Sequence, residues 1–421
     1  MSRLWIPLLF MAAYAIPAAS FHSGGVGECA GCHSMHRTDA GESGTRADNS
    51  VSLTGSDPGS TCLKCHLKSG EKRPNSYLVA TADEDMPSGV PPAQLSPGGD
   101  LGWVKKSYRW GAGGGDGGGS SPGERHGHDI VALDYRFAPD AGQTTAPGGS
   151  FPAARLSCIS CHDPHGKYRR HADGSIGTRG LPIQGSGSYN TSPDPAGDRA
   201  VGVYRLLGGK GYASSLYDGA PFTEDPPAAV SPENYNRAED RGDTRVAYGK
   251  GMSEWCSNCH PAQLGGTGGG KAHPAGNNIK FSPAVAANYN AYVASGNLTG
   301  NPSTSYSSMV PFEMGTADYG RLKGTASTGG QTAGPGASSN VMCLSCHRAH
   351  ASGWDHAMRW NMKSEFLVFN GEYPGAEVSE VPPRIAEGRT RAETRRAYYE
   401  RPAIRFATYQ RSLCNKCHAK D

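Results

Sequence analysis

The stretch Cys29-Ala30-Gly31-Cys32-His33-Ser34-Met35-His36 contains a C-x-x-C-H pattern that recurs until every cysteine of the chain is used. Six occurrences account for all 12 cysteines among the 421 residues. In chain order, motifs 1 to 6 are Cys29/Cys32/His33, Cys62/Cys65/His66, Cys158/Cys161/His162, Cys256/Cys259/His260, Cys343/Cys346/His347 and Cys414/Cys417/His418. Two thiols at this spacing can form thioethers with one porphyrin, and the adjacent histidine can then bind the iron as its proximal ligand. The sequence therefore predicts six covalently bound c-type haems.

Zinc sites and disulfides also use paired cysteines, and both compete with haem as explanations of this pattern. Neither requires a histidine directly after the second cysteine of each pair. Histidine accounts for only 15 of 421 residues. Six such histidines in six pairs would arise by chance with a probability on the order of 10⁻⁹, judged from composition alone. The position of the histidines therefore favours haem.

The first 20 residues have the composition of an export signal. A positive start at Arg3 precedes a mostly apolar run over residues 4–16, and small residues follow at 18–20. The run is too short, and too interrupted by proline, for the roughly 20 apolar residues that span a bilayer. We therefore expect a signal peptide over residues 1–20, export of the mature chain to the cell surface through the periplasm, and no membrane span.

The composition is unusual for a chain of this length. Glycine and proline contribute 59 and 30 residues, and only 19% of residues are charged. Such chains rarely bury enough apolar surface to order themselves, but six porphyrins would supply that surface. We expect one loop-rich domain over residues 21–421, a multihaem cytochrome c fold with short helices, few short strands and the haem stack as its core. The net charge of +3 gives no indication of nucleic-acid binding.

Two helices can be placed from end signals. Ser282 and Pro283 predict a helix start, with Val285, Tyr289, Tyr292 and Val293 on one face and an end near Gly296. The capping box Thr390-Arg391-Ala392-Glu393 predicts a second start. The arginine-rich run over residues 384–405 is interrupted by glutamates and is expected to be a solvated helix face. Short helical turns are expected at the C-x-x-C-H motifs.

Nine histidines lie outside the six motif positions, and six distal ligands are needed if every iron is six-coordinate. His36, His165 and His350 each follow a motif histidine by three residues. Such a residue reaches the far face of its own haem with difficulty, but it can bind a neighbouring iron within about 10–11 Å. The same tether would then hold two porphyrins close together. The other favoured distal candidates are His22, His128 and His273, while His126, His171 and His356 are expected to be surface histidines.

Longer stretches resemble one family, the OmcS-type extracellular hexahaem cytochromes, whose subunits polymerise into nanowires. The resemblance is carried by FHSGGVGECAGCHSMH from residue 21, GGDLGWVKKSYRW from 98, CHDPHGKYRR from 161, RVAYGKGMSEWCSNCH from 245, NVMCLSCHRAHASG from 340 and RSLCNKCHAKD from 411. It implies six bis-histidine haems. The distal set it implies is His22, His36, His128, His165, His273 and His350. It also implies that His36 binds a haem of the adjacent subunit, the one on Cys343/Cys346.

The leading functional hypothesis is electron conduction along six haems by a head-to-tail homopolymer. Its acceptors would be extracellular metal oxides, reached by outer-sphere transfer, or partner cells, and its other partners would be periplasmic or outer-surface cytochromes. One alternative is a soluble, monomeric periplasmic shuttle. The other is an enzyme, a multihaem reductase of the nitrite-reductase kind, which needs an iron with an open axial position. Because histidines suffice for all six irons, we expect no catalytic residues.

Overall fold

The computed structural model describes residues 29–34, 52–75, 77–111, 117–214, 219, 221–232, 239, 244–264, 274–408 and 413–418. The eight α-helices in these ranges have at most nine residues each. They are α1 Cys29–Cys32, α2 Pro58–His66, α3 Met252–Cys256, α4 Pro283–Ala291, α5 Tyr319–Thr325, α6 Cys343–Cys346, α7 Pro383–Ala386 and α8 Arg391–Ala397. Single turns of 3₁₀-helix are scattered between them, and none of the described helices is long and apolar enough to cross a membrane.

The strands are equally short and form four small antiparallel sheets within the described ranges. The strands are β1 His33–Ser34, β2 Ser52–Leu53, β3 Tyr108–Trp110, β4 Gly119–Ser121, β5 Arg169–Arg170, β6 Ile176–Gly177, β7 Val201–Gly202, β8 Ala228–Val230 and β9 Ala247–Lys250. β1 pairs with β2, β3 with β4, β5 with both β6 and β7, and β8 with β9. In the first sheet His33 lies opposite Leu53, so strand pairing fixes the backbone of a motif histidine. The prediction of a loop-rich fold with short elements is confirmed.

Every C-x-x-C-H motif lies on a helical turn, as predicted. The turns are α1, the end of α2, the 3₁₀ turn Cys158–Ser160, the end of α3, α6 and the 3₁₀ turn Cys414–Lys416. The start of α2 illustrates the local cause: Asp57 accepts a hydrogen bond from the Ser60 backbone N–H at 2.7 Å, and Pro58 occupies the first turn. A helical turn brings both thiols of a motif to one side, which a single porphyrin requires.

Both capped helices begin where the sequence predicts. The Ser282 hydroxyl accepts from the Val285 N–H at 3.2 Å at the start of α4, and the Thr390–Glu393 capping box opens α8. The predicted end of α4 near Gly296 is wrong, because the helix stops at Ala291 and its capping residue Tyr292 turns into extended backbone. Val293 therefore leaves the helical face and is exposed, whereas Tyr289 and Tyr292 are buried as expected.

The arginine-rich run is not the solvated helix face that we expected. Arg389 and Arg401 are buried, with exposed fractions of 1% and 4%. Arg389 bonds the Gly353 carbonyl at 3.0 Å and its guanidinium lies 4.2 Å from the centre of the Tyr108 ring. Only tertiary packing, which composition does not reveal, turns these side chains inward.

The apolar core of the described residues is divided into several separate clusters. The largest contains Trp354, Trp360 and Tyr398, and the cysteines of motifs 5 and 6 pack against its edge. A second cluster around Leu63 and Phe137 has Cys158 at its edge. A divided core with motif cysteines at its margins fits a protein whose clusters are joined by its cofactors.

Candidate haem sites

Thiols of consecutive motifs lie close together in two places. Cys62 of motif 2 lies near Cys158 of motif 3, and Cys256 of motif 4 lies near Cys343 of motif 5, close enough for the two thiols of each pair to shift each other's pKa. All twelve cysteines lie within the described ranges, and none of them is in a disulfide. Residues separated by about 90 positions in sequence are therefore brought together at their thioether-forming atoms.

The same proximity continues through the other motifs. Burial raises the pKa of Cys32, Cys161 and Cys346, in the last two cases to about 12, and negative charge on the thiols of the next motif raises it further. The residues involved in these effects are Cys62 and Cys65 for Cys32, Cys259 for Cys161, and Cys414 and Cys417 for Cys346. Motifs 1 to 6 thus follow each other in space in the same order as in sequence.

Two pairs of imidazoles face each other at the separation of opposed metal ligands. The ring centres of His33 and His165 are 6.3 Å apart with planes at 5°, and those of His128 and His260 are 6.1 Å apart with planes at 39°. A metal–imidazole bond is about 2.0 Å long, so two imidazoles on opposite sides of one metal place their ring centres about 6 Å apart. Each pair combines a motif histidine with a predicted distal histidine.

In several motif histidines, and in one predicted distal histidine, the ring nitrogen Nδ1 is held by a backbone carbonyl group. In motifs 2 to 5, Nδ1 of the proximal histidine lies within 2.9 Å of a carbonyl oxygen. The pairs are His66 with Tyr77, His162 with Arg205, His260 with Pro147 and His347 with His356. The predicted distal ligand His128 has the same arrangement with Ala349, at 2.7 Å. An Nδ1–H that donates to a carbonyl leaves the Nε2 lone pair free for a metal and fixes the ring direction.

Burial also keeps several of these rings neutral, as a metal ligand must be. It lowers the pKa of His128, His162 and His347, and it lowers that of His350 to about 4. Electrostatic interaction with the nearby His162 lowers the pKa of His350 further, which shows that this predicted distal residue lies close to motif 3. Neutral imidazoles at neutral pH are ready to bind iron without losing a proton first.

The remaining predicted distal residues, His22, His36 and His273, lie outside the described residues. Among the histidines that we did not expect to bind iron, His356 is exposed and His171 is half-buried. His126 is not a surface residue as predicted. It is fully buried, with Nδ1 3.0 Å from the Trp103 carbonyl and Nε2 2.8 Å from the Ser121 hydroxyl. Since both ring nitrogens have partners, His126 has a structural role.

A group of buried arginines beside motif 5 was not anticipated. Glu239 lies between Arg348 and Arg359, at 2.8 and 3.3 Å, and Arg401 donates to the Glu239 carbonyl at 2.9 Å. All four side chains are at most 4% exposed. Arg348 directly follows His347, and Arg359 Nε donates to the Leu344 carbonyl inside the motif at 2.7 Å. One carboxylate thus faces three guanidinium groups.

Counted over the described residues, this arginine cluster has an excess of positive charge and of hydrogen-bond donors. Arg348 Nε, Arg359 Nη2 and Arg401 Nε are buried and have no hydrogen-bond partner in the structure as described. Other buried arginines are satisfied; Arg245, for example, donates to the carbonyls of Gln331 and Ala333. A buried cation without sufficient counter-charge is costly. The cluster therefore fits a second carboxylate, and each haem carries two as propionates.

The sequence offers a partial signal for these features. A histidine three residues past each of two motifs indicated His165 and His350. Asp355 lies more than 200 positions from His126, and Glu239 lies more than 100 positions from Arg348, so no local pattern marks either contact.

Comparison with known proteins gives a consistent result. The chain is 50% identical to the C-type cytochrome OmcS of Geobacter sulfurreducens over 423 aligned residues, covering 96% of this chain and 95% of OmcS. No sequence-family profile matches. Among solved structures, the cryo-EM structure of OmcS nanowires from Geobacter sulfurreducens has a TM-score of 0.85, with 50% identity, and covers 95% of this chain and 100% of that one. The outer membrane cytochrome S filament of the same organism has a TM-score of 0.84 at the same identity and coverage.

Half of the residues are identical along almost the full length of both proteins. The backbone fold is also shared over that length, as the TM-score of 0.85 indicates. The motif turns, the opposed imidazoles and the excess of buried donors are the features such a protein needs to hold haem. This chain belongs to the OmcS family of c-type cytochromes.

Proposed function

We propose that this protein is an electron carrier with six bis-histidine haems that polymerises head to tail into extracellular filaments. The observation that carries the proposal is the spatial series of motifs 1 to 6, in which thiols of neighbouring motifs lie close together, as at Cys62/Cys158 and Cys256/Cys343. Each haem, when bound, supplies an iron that alternates between two oxidation states. The contacts between motifs place neighbouring carriers close to one another throughout the subunit.

The ligand assignments follow the histidine geometry. We assign His33 and His165 to the haem on Cys29/Cys32, and His260 and His128 to the haem on Cys256/Cys259, because their ring separations of 6.3 and 6.1 Å match opposed ligands. The other proximal ligands are His66, His162, His347 and His418. The distal ligands left for them are His22, His36, His273 and His350.

His165 also connects two sites. It lies three residues past His162, the proximal ligand of motif 3, and faces His33 of motif 1. His350 bears the same relation to His347, and its surroundings include His162 and His66 rather than its own motif alone. These tethers support the assignment of a bound carrier to each motif within one compact array.

The arginine cluster completes the cofactor environment. We assign the free donors of Arg348, Arg359 and Arg401 to a haem propionate. Its negative charge would balance a cluster in which, among the residues that the structure describes, Glu239 is the carboxylate that faces the guanidinium groups. Burial away from water strengthens such charge-assisted hydrogen bonds.

Filament formation is proposed from the relatives and from His36. The related OmcS structures are those of nanowires and filaments. His36 is three residues beyond His33, too near to bind the same iron from the opposite side. A bond from His36 to a haem of the next subunit, on Cys343/Cys346, would be a heterologous contact, which generates an open polymer unless it closes into a ring.

We further propose that residues 1–20 are removed on export and that residues 21–421 form one domain. The electrons would leave the filament for other cytochromes at the cell surface or for metal oxides, by outer-sphere transfer. The alternatives, a monomeric shuttle and a nitrite-reductase-like enzyme, are not favoured, since the related structures are those of cytochrome filaments. Opposed imidazoles at two of the six sites favour electron carriage over catalysis there, since neither iron would have an open position.

The His36→Ala variant tests the proposal. It should export and keep six covalent haems, yet form no filaments or much shorter ones, since the axial bond across the interface is lost. One iron per subunit should also change from low spin to high spin. Electron microscopy and electron paramagnetic resonance of the exported protein measure both effects.

The matched control is His171→Ala, the same chemical change at a histidine outside the ligand set. It should form filaments like those of the parent. Normal filaments with low-spin haem throughout in His36→Ala would mean that subunits join by another contact. A parent protein that shows no filaments would favour the shuttle, and one with a high-spin signal that grows with nitrite would favour the enzyme.

A further inference from the structure

Two segments hold the proximal histidines of motifs 3 and 5 in the same way. We call Tyr204–Gly208 and Asp355–Arg359 the backbone clasps. The second residue of each clasp presents its carbonyl to the histidine: Arg205 to His162 Nδ1 and His356 to His347 Nδ1, both at 2.8 Å. Each clasp contains a tight turn, closed by a hydrogen bond from the Leu207 N–H to the Tyr204 carbonyl at 3.2 Å in one and from the Met358 N–H to the Asp355 carbonyl at 3.3 Å in the other.

Two further backbone hydrogen bonds repeat in register. In motif 3, Asp163 N–H donates to Leu206 at 2.7 Å and Gly208 N–H donates to Cys161 at 2.9 Å. In motif 5, Arg348 N–H donates to Ala357 and Arg359 N–H donates to Cys346, both at 2.8 Å. The two clasps therefore make an identical set of three hydrogen bonds around the motif histidine.

Each clasp requires two successive left-handed residues, neither of them glycine. Arg205 and Leu206 have φ of 52° and 54°, and His356 and Ala357 have φ of 61° and 53°. Side chains other than that of glycine rarely adopt this conformation, and such strain persists where surrounding contacts impose it, often at functional sites. It recurs here in segments that share no sequence.

Among motifs 2 to 5, whose histidines all have a carbonyl partner within the described residues, the clasps occur at two. Their segments lie 43 and 9 residues after the histidines that they hold, so chain connectivity does not explain the repeat. In motifs 2 and 4 the carbonyl comes from Tyr77 and Pro147, which do not have left-handed backbone. Motifs 3 and 5 alone read C-x-S-C-H-x-x-H, and their serines Ser160 and Ser345 accept hydrogen bonds from the N–H that precedes each motif, at 3.0 and 3.1 Å.

We propose that the backbone clasps are positioning devices that fix the His162 and His347 rings and hold the carbonyl partner of each Nδ1 in place, so that the reduction potential of each of these two haems is lower than it would be with its clasp relaxed. This inference rests on the proposed ligand role of both histidines. A hydrogen bond from Nδ1–H to a carbonyl increases electron donation from Nε2, which favours the oxidised iron. The strained backbone keeps that carbonyl in place in both oxidation states.

Variants at His356 test the proposal because this side chain is exposed. Asparagine tolerates left-handed backbone, alanine less so, and β-branched valine very poorly. All three variants remove the same imidazole, so a graded difference among them reports on the backbone. Spectroelectrochemical titration measures the potentials, while haem content and electron paramagnetic resonance report attachment and spin state.

His356→Val should raise the midpoint potential of one of the six haems by about 59 mV. For a one-electron couple, this corresponds to a roughly tenfold rise in the ratio of reduced to oxidised iron at a fixed potential. His356→Ala should show a smaller rise, and His356→Asn should follow the parent curve. The pair Arg205→Val and Arg205→Asn should differ in the same way at the motif 3 haem. The alanine and Arg205 variants keep the test open if His356→Val does not fold.

Coincident titration curves for valine and asparagine variants with intact haem content would overturn the proposal, and so would equal shifts in all variants. A parent protein without six low-spin haems would instead overturn the ligand assignments on which the proposal rests. The two failures are thus distinguished by the spin state of the parent.

Discussion

Replacing His165 with alanine should leave one iron in six without its distal ligand, while all six haems stay covalently attached. The affected haem should be the one on Cys29/Cys32, because the His165 ring faces His33 at 6.3 Å. A haem with one imidazole becomes high-spin. Electron paramagnetic resonance of the oxidised protein should therefore show a high-spin signal equal to one iron per chain, and added imidazole should restore the low-spin state.

His171→Ala is again the matched control, since His171 lies on the same segment and has no ligand role. It should keep the parent spectrum. A fully low-spin spectrum of His165→Ala without added imidazole would mean that another residue binds this iron, and the tether between motifs 1 and 3 would be wrong.

Replacing Glu239 with glutamine should lower the free energy of unfolding by about 3–5 kcal/mol, the usual cost of breaking a buried ion pair by removing one partner. The three arginines, which are at most 4% exposed, would keep their positive charges in the protein interior but lose the neighbouring carboxylate. Unfolding by denaturant measures the loss. The control Glu372→Gln changes an exposed glutamate and should shift stability by less than about 0.5 kcal/mol.

The effect of Glu239 should depend on pH. Burial alone would raise the pKa of this carboxyl, but Arg348 and Arg359 lower it below its ordinary value. A carboxyl with a lowered folded pKa stabilises the protein above its unfolded pKa and loses that contribution as the pH falls through the folded pKa. The stability difference between parent and Glu239→Gln should therefore be full at pH 7 and narrow in acid. A difference of the same size down to about pH 2 would show that the charge of Glu239 is not what stabilises the cluster.

The local structure could be predicted from the sequence where it depends on neighbouring residues. Helical turns at the motifs follow from two thiols serving one porphyrin, and the starts of α4 and α8 follow from Ser282 and the Thr390 capping box. The three-residue offset of His165 predicted a ligand for a neighbouring iron, and its ring does face His33. In each case the information lies within about one turn of chain.

Features made by distant segments could not be predicted. His162 is held by Arg205, 43 residues away, through a carbonyl that any residue could supply. Glu239 meets Arg348 from more than 100 positions away, and His126 lies with Nε2 3.7 Å from a carboxylate oxygen of Asp355, more than 200 positions away. Arg389 and Arg401 are polar residues that composition places at the surface. Their burial is explained by tertiary contacts, of Arg389 with the Gly353 carbonyl and the Tyr108 ring and of Arg401 with the Glu239 carbonyl.

The order of the motifs in space has a consequence for conduction. Because motif 1 and motif 6 lie at opposite ends of the series, a head-to-tail contact can extend that series from one subunit to the next. The His36 assignment would place such a contact beside motif 1. Electrons would then pass between subunits without a diffusing carrier.

The most direct test of this account is a cryo-EM map of the exported, haem-loaded protein that resolves the axial ligands. We expect filaments in which His33 and His165 bind the iron of the Cys29/Cys32 haem and His260 and His128 bind that of the Cys256/Cys259 haem. The six haems should follow one another in chain order within each subunit. A map with an open axial position at either iron, or with the haems out of chain order, would contradict it.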